Sequence, residues 1–236
     1  MFSKNDKIGY VVVQFPKAAD IFKKYHIDFC CGGDRPLAAA FAEQNLDESE
    51  ILEQLNGSYT EYLQSTNDTT KDWSEQSLTN LVDHIVETHH QYLNVNLPAI
   101  GELALKILRV HGDKHPELYR IHKLFNLLRT ELEQHLITEE VELYPVIKEY
   151  EITSSMQDLN KIKKIVTNLE DEHETAGGVL KELRSITKNF TPPEDVCASY
   201  KLTFKKLEEL ESDIFQHIHL ENNILHPRLR QCIKSL

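Results

Sequence analysis

A chain of 236 residues with 26 Lys and Arg against 38 Asp and Glu carries a formal net charge of −12. That balance argues against a nucleic-acid backbone or an anionic membrane as the main partner, because both reward clustered basic residues. With 40% hydrophobic residues the chain can bury the core of one large domain, or of a medium and a small one.

The longest apolar runs, such as Tyr10-Val11-Val12-Val13, fall far short of the roughly 20 residues that span a bilayer, and the amino terminus lacks a signal-peptide core. Cys30, Cys31, Cys197 and Cys232 are too irregularly placed for a secreted disulfide framework. A cytoplasmic location with reduced thiols is therefore expected.

Residues 1–65 read as a small helical unit. Ala18 to Tyr25 is helix-like, Leu37 to Gln44 is alanine-rich, and Asp47 with Glu50 forms a capping-box start for a helix running to about Leu63. A unit this small has a marginal core, so it is expected to dock on the rest of the chain or to form a homodimer. Within it lies Asp28-Phe29-Cys30-Cys31-Gly32-Gly33. Neighbouring Cα atoms are about 3.8 Å apart, so a Cys30–Cys31 bridge would be strained. The pair suits two free thiols, exchange with another thiol, or a soft metal; the bland alternative is a buried pair acting as small hydrophobes.

The polar stretch Ser65 to Asp72 reads as a linker, which places a second domain at residues 66–236. Four long helix-like segments follow, at roughly 76–110, 116–149, 157–189 and 195–234. The breaks fall at His111-Gly112-Asp113, at Tyr150 to Ser155, and at Thr191-Pro192-Pro193. Long helices with short connections predict an all-α fold: an antiparallel four-helix bundle behind a small helical amino-terminal domain.

Polar groups interrupt the apolar stripes of these helices. Ile121, Leu124, Leu128 and Leu132 lead through His135 and Glu139 to Leu143; Leu207, Leu210 and Ile214 lead through His217 and Glu221 to Leu225; Ile162, Ile165 and Leu169 lead through His173 to Ala176. One such histidine is usually an ordinary core residue. Three helices doing this, two with a glutamate one turn later, call for buried positive charge, which metal ions would supply. In the first helix His90 extends the apolar face, His89 lies about one hundred degrees round the helix as the fallback, and His84 points away.

Four histidines and two glutamates suit a two-metal centre bridged by Glu139 and Glu221, each ion keeping open positions. Nitrogen and oxygen ligands admit iron, manganese or zinc. Gly177-Gly178, one turn after His173, is read as an interruption that either packs closely or opens a passage for a small ligand. A rival reading takes Glu87-Thr88-His89-His90 and Glu170-Asp171-Glu172-His173 as the Glu-x-x-His pattern of ferritin-like di-iron carboxylate proteins. It ranks second because it leaves the His135/Glu139 and His217/Glu221 pairs without a task.

Taken with Asp83-His84-Ile85, Glu172-His173-Glu174 and His217-Ile218-His219-Leu220-Glu221-Asn222-Asn223, the cysteine motif and the His/Glu pairs resemble the iron-sulfur cluster repair di-iron family (repair of iron centres), whose carboxy-terminal bundle is hemerythrin-like. The resemblance covers nearly the whole chain. It implies a non-haem, carboxylate-bridged centre of two iron ions, with terminal His90, His135, His173 and His217 and bridging Glu139 and Glu221. It also implies thiol chemistry or iron handling at Cys30 and Cys31.

Two departures from the family pattern are that His89 precedes the expected ligand, and that none of His84, His122 or His219 supplies a fifth histidine on the inner stripe. The expected function is repair of iron-sulfur proteins damaged by oxidative or nitrosative stress, through iron supplied from the labile centre. The alternatives are a protein that binds or senses dioxygen or nitric oxide, or one that reduces nitric oxide. Cys197 and Cys232, each near a helix end, are expected to be structural.

Overall fold

A computed structural model describes residues 1–64 and 72–234, so most of the stretch read as a linker lies outside the described residues. Among the described residues every extended element is a helix, and the one β feature is an isolated antiparallel bridge between Lys7 and Pro36. The chain is all-α. It packs as two units, Met1–Ser77 with Phe215–Leu236, and Leu78–Ile214.

The first unit holds α1 (Ile8–Gln14), α2 (Ala18–Lys24), α3 (Leu37–Gln44) and α4 (Glu48–Gln64), with the end of α10 (Ala198–Leu220) and all of α11 (His226–Lys234). α1 contains the β-branched run that periodicity alone does not mark as helix. Its Ile8, Val11 and Val12 are buried, so packing overrides the weak helix propensity of valine. Asp47 Oδ1 accepts from Glu50 N at 3.0 Å, as the capping-box reading of α4 requires. The apolar centre includes Phe22, Phe29, Ile51 and Leu55, each at most 1% exposed. Phe29 stands edge-on to Phe215, with ring centres 5.8 Å apart. The amino-terminal residues thus enlarge their core with Phe215 and its successors, from the far end of the same chain.

The second unit is built of helical rods. The first joins α5 (Leu78–Ile85) and α6 (Gln91–His111); the second joins α7 (Glu117–Thr138) and α8 (Tyr144–Thr153); α9 spans Met156–Ile186, and α10 begins at Ala198 and runs to Leu220. α6 packs on α7, α5 packs on α8, and both α7 and α8 pack on α9. The beginning of the first rod therefore lies along the end of the second, which is the antiparallel arrangement. Buried Leu81, Ile85, Leu97, Ile121, Phe125, Leu128, Ile162 and Leu169 fill the interior.

The breaks have local causes. Ser154, at φ 53°, ends α8 with its N–H on the Tyr150 carbonyl, and the Ser155 side chain then accepts from Asp158 N to open α9. α8 therefore continues through Tyr150 to Thr153, residues expected to form a break. α9 ends before Pro192-Pro193: the Thr187 hydroxyl accepts from Phe190 N at 3.0 Å, and Lys188, Asn189 and Phe190 all have positive φ. Gly177-Gly178 does not interrupt α9, and a Cβ on Gly178 would meet nothing within 4 Å.

Candidate metal centre

The end of α7 supplies the first pair. His135 and Glu139, one turn apart, are buried, with Nε2 3.2 Å from Oε1. The other oxygen of Glu139 lies 3.2 Å from Nε2 of His90, and Nε2 of His173 on α9 lies 3.0 Å from Nε2 of His135. The second unit thus brings His90, His135, Glu139 and His173 together, one Glu139 oxygen facing each of two imidazoles. Donors on one ion at about 2.0–2.2 Å are separated by about 3.0–3.4 Å, which spans these distances.

The other face of each ring explains why those nitrogens are ligands in form. His90 Nδ1 is 2.7 Å from Glu140 Oε1, and His135 Nδ1 is 2.7 Å from Glu172 Oε2. Each carboxylate accepts a hydrogen bond from Nδ1–H, which leaves the Nε2 lone pair directed at Glu139 and at the neighbouring imidazole. Lone pairs facing one another at this range repel unless a cation lies among them, so the donor set fits a metal ion.

His89 is buried but turns to Asp213, with Nδ1 2.9 Å from Oδ1, so it lies away from Glu139. Glu87, one carboxylate of the rival reading, is exposed, and Glu172, which lies between Glu170 and His173 in sequence, is the outer partner of His135.

In the first unit the other pair, His217 and Glu221, repeats the one-turn step, with Nε2 3.3 Å from Oε2 and both side chains at most 1% exposed. His219 is also buried. It faces Phe29 with ring centres 5.8 Å apart, and burial pushes its pKa down to about 4, partly opposed by a hydrogen bond with the Phe29 backbone.

Each of the three rods that carry His90 and these two pairs widens into a π-helical turn: Val86–His90, Glu139–Leu143 and Glu221–Leu225. The amides of Gln91, Tyr144 and His226 reach five residues back, to the carbonyls of Val86, Glu139 and Glu221. Such turns re-aim side chains and recur at functional sites. Pro145 and Pro227 stand just beyond the second and third turns, where the regular ladder is already broken and a missing N–H costs least. Histidine, a glutamate four on and a proline six beyond that is a repeated sequence signal for this local geometry.

The third turn also reaches the thiols. Asn223 Nδ2 donates to the carbonyls of Phe29 (3.1 Å) and Cys30 (3.3 Å). A Cβ on Gly9 or Gly33 would fall on the Asn223 side chain, so the two glycines permit its approach. Asp28 Oδ1 accepts from Gly32 N, Cys30 N and the Cys30 thiol at 3.0–3.2 Å. Burial, then Cys31 and Asp28, pushes the Cys30 thiol well above its usual 9.0. Cys31, whose sulfur is 3.8 Å from that of Cys30, is only half-buried. A thiol loop tied two residues from Glu221 was not visible in the spacing.

An all-α bundle lined by buried histidines and glutamates belongs to the cation-binding bundles: residues 81–229 match the hemerythrin HHE cation-binding domain, and residues 4–59 match a domain of unknown function, DUF542. The chain is 35% identical to the probable iron-sulfur cluster repair protein of Haemophilus influenzae, over 94% of this chain and 96% of the relative. It is 33% identical to the iron-sulfur cluster repair protein YtfE of Escherichia coli O81, and 32% identical to that of Escherichia fergusonii, each over 97% of this chain and 98% of the relative. The chain belongs to the iron-sulfur cluster repair family. Among the described residues no helix is long and apolar enough to cross a membrane.

Proposed function

We propose that this chain restores damaged iron-sulfur clusters in other proteins by supplying iron, held as cargo, from a centre of two ions. In this reading His90, His135, His173 and His217 are terminal ligands, Glu139 and Glu221 bridge, and residues 66–236 act as the iron-holding domain. The observation that carries it is Glu139, buried and facing His90 and His135 at 3.2 Å while Glu140 and Glu172 fix both rings from behind. The names of the relatives supply the repair task, and the chemistry of imidazole and carboxylate supplies the iron.

Release needs a route. A groove lined by Glu131, Gln134, Asp171, Glu172 and Thr175 lies between α7 and α9 and includes the carboxylate that holds His135. Its acidic wall favours a departing cation over an anion. Protonation of His135 or His173 at Nε2 would remove a donor and loosen the ion. The half-buried Cys31, within the proposed thiol domain of residues 1–65, is placed to offer a soft ligand to an acceptor protein. Action in the cytoplasm, a homodimeric state, and binding of nitric oxide or dioxygen at the same centre belong to the proposal.

The test mixes iron-loaded protein with a cluster-depleted dehydratase. Recovery of dehydratase activity beyond that given by the same amount of free iron is expected; recovery equal to the free-iron control contradicts the donor role.

A further inference from the structure

The helix that turns His135 and Glu139 inward has an apolar stripe on its outer side. Leu127, Thr130, Gln134, Ile137 and Val141 recur along α7 and its π turn at alternating steps of three and four residues, and all five are exposed. Steps of that size keep side chains on one face of a helix, so the five form a single stripe, about 21 Å long at 1.5 Å per residue. Leu127 is 47% exposed, Ile137 56% and Val141 68%. Single apolar residues on a surface need no explanation, but an apolar stripe rimmed by polar residues marks a contact with another protein.

The stripe borders the groove between α7 and α9, which has a volume of about 650 Å³ and includes Thr130, Gln134 and Ile137 in its lining. Charge around the groove is of one sign. Residues 130–142 hold five glutamates and residues 170–175 hold four carboxylates, with no Lys or Arg in either stretch. Arg129 engages Glu133 at 2.7 Å, but Glu131 and Asp171, which line the groove, form no ion pair among the described residues. Glu131 Oε2 is shielded from solvent and accepts no hydrogen bond among them. A shielded carboxylate oxygen without a donor costs free energy, and a cationic side chain entering the groove would offset that cost.

We infer that this face docks a basic amphipathic helix of the iron-accepting protein. The apolar side of that helix covers Ile137 and Val141, and its Lys or Arg side chains enter the groove beside Glu131 and Asp171. A second copy of this chain is the wrong occupant: pairing two such faces sets carboxylate against carboxylate on chains that each carry −12. A helix seated here lies on the outer side of the turn that carries His135 and Glu139, beside the Glu172 carboxylate that holds His135. That the partner accepts iron rests on the iron-donor reading; the docking itself does not.

The probe is a fluorescein-labelled helical peptide with a leucine stripe flanked by lysines, titrated with iron-loaded full-length protein while its anisotropy is followed. Saturable binding of one peptide per chain is expected. Affinity should fall at least tenfold in the double variant Ile137→Ser, Val141→Ser, and at least tenfold when the peptide leucines become serine at unchanged charge. Glu131→Gln should weaken binding at least threefold, whereas Glu194→Gln, an exposed carboxylate outside the groove, should leave it within twofold. Both apolar positions are exposed, and unchanged thermal unfolding of the double variant confirms that lost binding is local. Saturating peptide should also cut recovery of the cluster-depleted dehydratase at least fivefold with the parent. The docking is overturned by a double variant that binds within twofold of the parent, by equal binding of the serine peptide, or by a parent dimer that the double variant turns into a monomer in sedimentation. Peptide binding as expected with dehydratase recovery unaffected overturns the assignment of the acceptor to this face. A parent that restores no dehydratase even without peptide contradicts the iron-donor reading and leaves the docking result standing.

Discussion

Replacing Glu172 by alanine separates a role in holding metal from a role in holding the fold. Glu172 touches no proposed ion; it accepts from His135 Nδ1 at 2.7 Å, and its side chain is 49% exposed. Removing such an outer partner of a metal-bound histidine costs about 10–100-fold in affinity, or about 1.4–2.7 kcal/mol. Exposure screens the interaction, so the lower end, about tenfold, is expected. Stability of the iron-free protein should change by less than about 0.5 kcal/mol, as for other surface positions. Iron affinity is read by competition with a chromophoric chelator, and stability by urea unfolding. Glu172→Gln, which keeps an acceptor oxygen, should recover part of the loss. Iron affinity within twofold of the parent in Glu172→Ala would refute the reasoning that the Nδ1 carboxylates prepare these rings.

Glu170→Gln should keep its full iron content, as measured by metal analysis, because the ligand set proposed here does not use that carboxylate; near-complete loss would restore the ferritin-like reading. Gly33→Ala puts a methyl group on the Asn223 side chain, and a loss of about 1–3 kcal/mol in urea, with faster alkylation of Cys31, is expected. Arg184 and Glu211 form a largely buried pair, with Nε 3.0 Å from Oε1; Arg184→Met strands the Glu211 charge and should cost about 3–5 kcal/mol by thermal or urea unfolding. Mass spectrometry after brief alkylation should find Cys31 modified before buried Cys30. The folded pKa of Cys30 lies above its unfolded value of 9.0, so its contribution to stability is present below pH 9 and is lost as pH rises beyond it. Urea unfolding at pH 8 and pH 10 should show a smaller alkaline loss in Cys30→Ala than in the parent.

The long rods were legible because leucine and isoleucine recur at helical spacing over several turns, and the polar residues that break those stripes stand out for the same reason. His90 was separable from His89 by the angle between neighbouring residues on a helix, and the structure turns His90 to Glu139 and His89 to Asp213. Three things were hidden. Helix α1 is set by burial of Ile8, Val11 and Val12 rather than by propensity. The π turns depend on a shifted backbone ladder that side-chain spacing barely registers, although Pro145 and Pro227 mark two of them. The outer partners Glu140 and Glu172 and the clamp at Asn223 are long-range contacts between ordinary polar residues, indistinguishable in sequence from a solvated face.

The central claim rests on two ions sharing Glu139. Metal analysis of anaerobically purified protein, alongside Glu139→Ala, tests it most directly. Two irons per chain in the parent, with loss of both in Glu139→Ala, is the predicted result. A parent that holds one iron, or a Glu139→Ala protein that keeps two, contradicts it.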